Sequence, residues 1–187
     1  MSKYHNSDLL DGLTLGKSTQ YSNKYDPTLL QAVPRSLNRD DLHLEKNQLP
    51  FYGEDVWYGY ELSWLNNKGK PQVAVAEFRV PCTSDNLIES KSFKLYLNSF
   101  NQTRFRSLQQ VQKLLENDLT GAAGQQVHVT VVPLQQAGHS ADIQSLDAQC
   151  IDEIDVDIDT YQAAPELLRA DGDVVNERLV SHLLKSN

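Results

Sequence analysis

The chain has 187 residues, of which 40% are hydrophobic and 22% charged, with a formal net charge of −8. That length and composition suit a folded protein with its own core and exclude a disordered or collagen-like chain. The acidic balance, with a pI of about 5.0, excludes non-specific binding to duplex or tRNA, which needs clustered cations. A small anionic cofactor can still bind through local lysines. Two cysteines, Cys82 and Cys150, are too few for a disulfide framework and read as reduced thiols of a cytoplasmic protein. The start, Met1-Ser-Lys-Tyr-His-Asn6, has no apolar region of a secretory signal. No run approaches the roughly 20 apolar residues that span a bilayer.

In chain order, residues 1–50 are polar, broken by Pro27, Pro34 and Pro50, and carry no sustained period of 2 or 3.6. They read as an extended arm that packs against another surface, such as a partner subunit. From Val56 to Val80 the chain reads as a hairpin. Its first strand is the aromatic run Trp57-Tyr-Gly-Tyr-Glu-Leu-Ser-Trp-Leu65, its turn Asn66-Asn-Lys-Gly69, its second strand Gln72 to Val80. Thr83, Ser84 and Asp85 offer N-cap oxygens for a helix. Within that helix Phe93, Tyr96, Leu97 and Phe100 fall on one face, with Lys91, Lys94 and Asn98 opposite.

Ser107 and Gln110 form a capping box for a second helix. Its apolar stripe is Leu108, Val111, Leu114, Leu115 and Leu119, and Gly121 and Gly124 close it. Val127, Val129 and Val131 alternate with polar residues as a half-buried strand, and Ile154, Val156 and Ile158 as another. Residues 174–184 read as one further strand. From 56 to 160 the order is strand, strand, helix, helix, strand, strand. This is an α+β layer with two helices on one face of an antiparallel sheet. Its open edges predict assembly with further copies.

The chemistry concentrates where the first helix opens. Glu89, Ser90, Lys91 and Ser92 put a carboxylate, two hydroxyls and an ammonium together. An ionised Glu89 accepts hydrogen bonds only, which suits the adjacent N–H and NH₂ donors of a guanine-like ring. Helix-terminal N–H groups, serine hydroxyls and Lys91 suit a phosphate. The plainer reading is a polar first turn, which helices favour for their own stability.

The run Glu89-Ser-Lys-Ser-Phe-Lys-Leu-Tyr-Leu-Asn-Ser-Phe100 resembles, nearly letter for letter, a signature of the NADPH-dependent 7-cyano-7-deazaguanine reductases. The resemblance extends through Leu13-Thr-Leu-Gly-Lys-Ser18, Val33-Pro-Arg-Ser-Leu-Asn-Arg39, Asn101-Gln-Thr-Arg-Phe105, Cys150-Ile-Asp152 and Leu179 to Asn187. It matches the N-terminal portion of the long, two-unit members. It implies a tunnelling fold with three parts: an arm over 1–50, a motif-bearing unit over 51–165, and the start of a second unit over 166–187. It implies reduction of the nitrile of 7-cyano-7-deazaguanine to an aminomethyl group with two NADPH, on the route to queuosine in tRNA. It places Ile88, Glu89 and Ser90 on the substrate and Ser90 and Lys91 on NADPH. It also implies a cytoplasmic homodimer acting on a free base, with no nucleic acid, membrane or metal involved.

The family's thiolate nucleophile and proton-donating acid lie in a Cys-x-x-Thr-x-Gln-Pro-Asp pattern, with a His-Glu pair further on. Neither occurs here. In the long members the cysteine follows a Leu-Leu-Lys-Ser-Asn stretch, and Leu183-Leu-Lys-Ser-Asn187 matches that stretch. The expectation is a nucleophilic Cys and an acid Asp beyond Asn187, with this chain supplying the substrate-anchoring half-site and inactive alone. The alternative is a non-catalytic binding or assembly module of the same fold. Cys82 and Cys150 read as small buried hydrophobes.

Other patterns carry less. Asp155, Asp157, Asp159 and Glu166 match carboxylate positions of a calcium loop, but Thr160 stands where the turn needs glycine. Gly16-Lys-Ser18 lacks the spacing of a P-loop. His5, His43, His128, His139 and His182 share no ligand spacing for zinc, and His128 reads as a satisfied sheet residue. Asn101-Gln-Thr103 is a glycosylation sequon by letter only.

Overall fold

A computed structural model of the chain describes residues 24–139, together with Ser22, Gln162, residues 164–167 and Gly172. The chain divides into two compact units, Met1–Asp142 and Ile143–Asn187. In the second, only a short 3-10 turn at Pro165–Leu167 is described. The strands expected around 154–158 and 174–184, the acidic run from Asp155 and Cys150 lie outside the described residues.

The hairpin forms as expected, from β2 (Glu54–Leu65) and β3 (Pro71–Pro81). Its turn closes because Asn66 Oδ1 accepts from Lys68 N at 2.9 Å and Lys70 N at 3.0 Å, while Gly69 takes φ 81°. β5 (His128–Pro133) pairs antiparallel with β3, which gives the sheet order β2-β3-β5. Along β5 the alternation is as predicted, with Val129 and Val131 buried and His128 exposed. α2 (Ser90–Asn98) and α3 (Leu108–Ala123) cover one sheet face. Phe93, Tyr96 and Phe100 join Val111, Leu115 and Leu119 over Ala76, Phe78 and Val129 in one core cluster. Full burial of such side chains contributes about 1.5–3 kcal/mol each, so this layer carries the fold. Val56, Tyr58 and Tyr60 of β2 are exposed.

Ser107 caps α3, its Oγ accepting from Gln110 N at 3.2 Å. The return bond runs from Arg106 N to Gln110 Oε1 at 2.8 Å, one residue earlier than a standard capping box. Gly124 ends the helix at φ 73°, whereas Gly121 sits inside it.

Three expectations are corrected. Thr83, Ser84 and Asp85 do not cap α2. The intervening residues form β4 (Asn86–Ile88), which pairs with β1 (Ala32–Pro34), and this moves the cap to Glu89. Ser84 is instead buried, accepting from Arg35 Nε at 3.0 Å and donating to Asn86 O at 2.9 Å. Secondly, the described part of the arm is not irregular throughout, and it packs in part on its own chain. It contains β1, a one-turn α1 (Ser36–Arg39) and 3-10 turns at Pro27–Leu29 and Asp40–Leu42. Tyr25 packs edge-on against Phe100 and Tyr96, and Arg35 pairs with Asp55. Thirdly, the buried side of α2 is wider than the predicted stripe, for Ser92, Leu95 and Ser99 are buried as well. Their side is met by the arm, whose backbone bonds to both serine hydroxyls.

Cys82 is a buried free thiol, as its composition class predicts. No described helix is long and apolar enough to cross a membrane.

Candidate functional site

The site is built where β4 ends and α2 begins. Ile88 is extended, paired with Ala32, and belongs to the core cluster. Glu89 stays extended, with φ −65° and ψ 127°, and serves as the N-cap. A glutamate is long for that role. It folds its carboxylate back over the helix start, so that Oε1 accepts from Lys91 N at 2.8 Å and Oε2 from Ser92 N at 2.6 Å. Only 8% of the residue is exposed. The two amides are among the donors that a helix start leaves without backbone partners, and the positive end of the helix dipole favours the charge.

The backbone of Glu89 is held as firmly. Its N–H donates to Gln31 O at 2.9 Å, and its carbonyl accepts from Phe93 N at 2.9 Å and from Ser92 Oγ at 2.8 Å. A carboxylate has room for about four hydrogen bonds. Both oxygens of Glu89 are therefore oriented by one strong bond each and retain capacity for a further donor.

A cleft of about 260 Å³ opens between β2 and α2; Ser90 lines it, while the preceding Glu89 does not. Its apolar side is aromatic, with Trp57 and Phe78 both edge-on to Phe93, at ring distances of 5.8 and 4.9 Å. Its polar side is a stripe of Ser90, Lys94 and Asn98, which recur every fourth residue and so share a helix face. The structure thus divides the four predicted site residues. Ser90 is exposed on the cleft wall. Glu89 caps its own helix beside it, Lys91 is half-buried outside the cleft lining, and Ile88 is core. Lys94 and Asn98, assigned by periodicity to a wet face, stand on the cleft. The signal was their spacing from Ser90, which the charge pattern masked.

One expectation for the helix start changes. The amides of Lys91 and Ser92 are not free for a phosphate, because Glu89 occupies both. Among the described residues no group of three or more His, Cys, Asp or Glu side chains could hold a metal ion.

The other end of α2 carries a second polar cluster that the sequence did not announce. Asp118 Oδ2 accepts from Tyr25 at 2.7 Å and from Tyr96 at 2.6 Å. Burial, reinforced by the bonds to Asp118, pushes both phenols well above the ordinary tyrosine range.

Residues 21–131 match the family described as nitrile reductase, 7-cyano-7-deazaguanine-reductase, N-terminal part. Over 194 aligned positions the chain is 58% identical to a protein of Colwellia psychrerythraea named NADPH-dependent 7-cyano-7-deazaguanine reductase. The alignment covers the whole of this chain and 68% of that relative.

Proposed function

The chain belongs to the 7-cyano-7-deazaguanine reductase family, and from that premise we propose that it takes part in NADPH-dependent reduction of the nitrile of 7-cyano-7-deazaguanine to an aminomethyl group. In this reading residues 88–91 form the substrate-anchoring half-site. Glu89 accepts the adjacent N–H and NH₂ donors of the deazaguanine edge, with Ile88 and Ser90 beside it. The observation that carries the assignment is the carboxylate itself, nearly buried yet held by a single amide bond at each oxygen. A ligand that supplies two further donors completes it, whereas an analogue without them leaves a desolvated charge unpaired.

The residues present fit a phosphate-bearing cofactor through side chains rather than helix amides. Ser90 Oγ and Lys91 would hold it, and the exposed Lys94 ammonium lies one turn along. Bound NADPH supplies hydride. Conversion of the nitrile to the amine takes two hydrides and two protons, the hydrides going to carbon and the protons to nitrogen. The protein's task at this end is to fix the ring edge and keep the substrate still while both additions occur. The covalent step needs a thiolate. Cys82 is buried and its carbonyl is tied to Arg39, so in this reading the nucleophile and the acid come from outside residues 24–139.

Apart from the short β4, which pairs with β1, the order β2, β3, α2, α3, β5 supports a tunnelling-fold unit over 51–165, after an arm of 1–50 and before a second unit that begins in 166–187. Among the described residues β2 is an edge strand, and this with the exposed Tyr58 and Tyr60 supports a homodimer. A free-base substrate and an acidic chain fit a cytoplasmic enzyme that does not bind tRNA.

Glu89→Ser in the intact reductase tests the reading. Serine keeps the N-cap but not the paired acceptors. Nitrile affinity measured by calorimetry should fall by at least about a hundredfold with little change in Tm. Unchanged affinity would sink the assignment.

A further inference from the structure

Residues 25–34 lie along one side of α2, and their backbone N–H groups end on serine hydroxyls of that helix. Asp26 N donates to Ser99 Oγ at 3.2 Å, and Gln31 N to Ser92 Oγ at 3.0 Å. The two serines are about two helical turns apart, and both are 0% exposed. A serine buried within a helix competes for backbone partners, so these two positions are explained by the strand laid against them.

The two contacts are not equivalent. At the far end, Ser99 Oγ passes its own hydrogen to Tyr96 O at 2.6 Å, within the helix. At the near end, Ser92 Oγ passes its hydrogen to Glu89 O at 2.8 Å, and Gln31 O accepts from Glu89 N at 2.9 Å. The Gln31 backbone, the Ser92 hydroxyl and the Glu89 backbone therefore close a hydrogen-bonded ring. Pairing of Ala32, Val33 and Pro34 with Ile88, Leu87 and Asn86 continues it. The hydroxyl serves as donor and acceptor at once.

We propose that this strap is a positioning device for the substrate. Gln31 and Ser92 fix the backbone of Glu89, so that its carboxylate meets the ring edge without rearrangement on binding. Neither residue touches the ligand. The ordering of Glu89 is completed on folding and is not charged against affinity. The proposal rests on the reading of Glu89 as anchor, and it gives the N-terminal arm a role in binding rather than in stability alone.

The test compares two serine substitutions in the intact reductase. Ser92→Ala opens the ring at Glu89. Ser99→Ala removes the matching strap contact at the distant end. Each loses buried hydrogen bonds and should lower Tm by a similar amount. With 7-cyano-7-deazaguanine as the titrant, Ser92→Ala should weaken Kd by about five- to tenfold. Its kcat at saturation should hold, and Ser99→Ala should keep the parental Kd. Equal effects on Kd would reduce the strap to general stability and overturn the proposal. So would a Kd unchanged in Ser92→Ala. In either case a loss of binding in Glu89→Ser would leave the anchor reading standing, and its absence would remove both. Should Ser92→Ala not fold, Gln31→Pro deletes the same N–H donor and is read by the same Kd criterion.

Discussion

A carboxylate sits near each end of α2, the nearly buried Glu89 at one and the half-buried Asp118 of α3 at the other, and their partners differ. At the C-terminal end one oxygen of Asp118 gathers hydroxyls from Tyr25 of the arm and Tyr96 of α2, which ties three segments together. At the N-terminal end Glu89 takes its partners from its own helix start, one amide for each oxygen and a longer contact of 3.5 Å from Ser90 Oγ to Oε1. The first arrangement converges side chains from distant parts of the chain on one atom, which is how a fold is locked. The second spends little tertiary structure on the carboxylate and much on the backbone beneath it, which is how a group is aimed while left able to bind. The two carboxylates thus differ in where their partners come from, and under the proposed function that difference separates a group that completes the fold from one that receives a ligand.

The contrast can be broken at either end. The largest stability effect belongs to the locked end. Phe100 is fully buried and touches the rings of Tyr25, Tyr96 and Phe105. Phe100→Ala should cost about 3–5 kcal/mol, read by urea denaturation. A loss below 1 kcal/mol would mean that the arm is not packed there. Glu89→Ser comes next, with its effect in affinity rather than in Tm. Asp118→Asn should do the reverse. It weakens two charge-assisted bonds by about 1.5–3 kcal/mol in total and leaves nitrile affinity unchanged. If Asp118→Asn altered affinity as much as Glu89→Ser, the distinction between the two ends would fail.

The smallest effect is in pH. Both phenols are raised in the folded protein, first by burial and then by Asp118. In the unfolded chain they lose their protons near the ordinary value of 10.0. Their contribution is therefore complete below that pH and is lost as pH climbs above it. Tyr96→Phe should flatten the alkaline fall of stability measured above pH 10.0. An unchanged slope would show that these phenols do not govern it.

The sequence announced whatever depends on neighbours along the chain. The hairpin was legible from Asn66 and Gly69 flanked by aromatic and β-branched residues. The alternation of Val127, Val129 and Val131 marked β5, and Ser107 with Gln110 marked the start of α3. The crowding of charged and hydroxylated residues from Glu89 to Ser92 was legible too, and with it the polar start of α2. The cap of α2 was misplaced by four to six residues, because Thr83, Ser84 and Asp85 satisfy the same local rule as Glu89. What chose between them was the pairing of Asn86–Ile88 with Ala32–Pro34, and no local rule contains that pairing.

By itself the sequence determined the family, the periodic elements and the chemical types at the head of α2. The tertiary structure decided which atoms those types present. Gln31 meets Ser92 across 61 positions of sequence, and Tyr25 meets Asp118 across 93. Such bonds leave no periodicity to read. They form only when the core has brought α2, α3 and the arm together, and they determine that Ser92 bonds to the backbone of Glu89 while Ser99 bonds within its own helix.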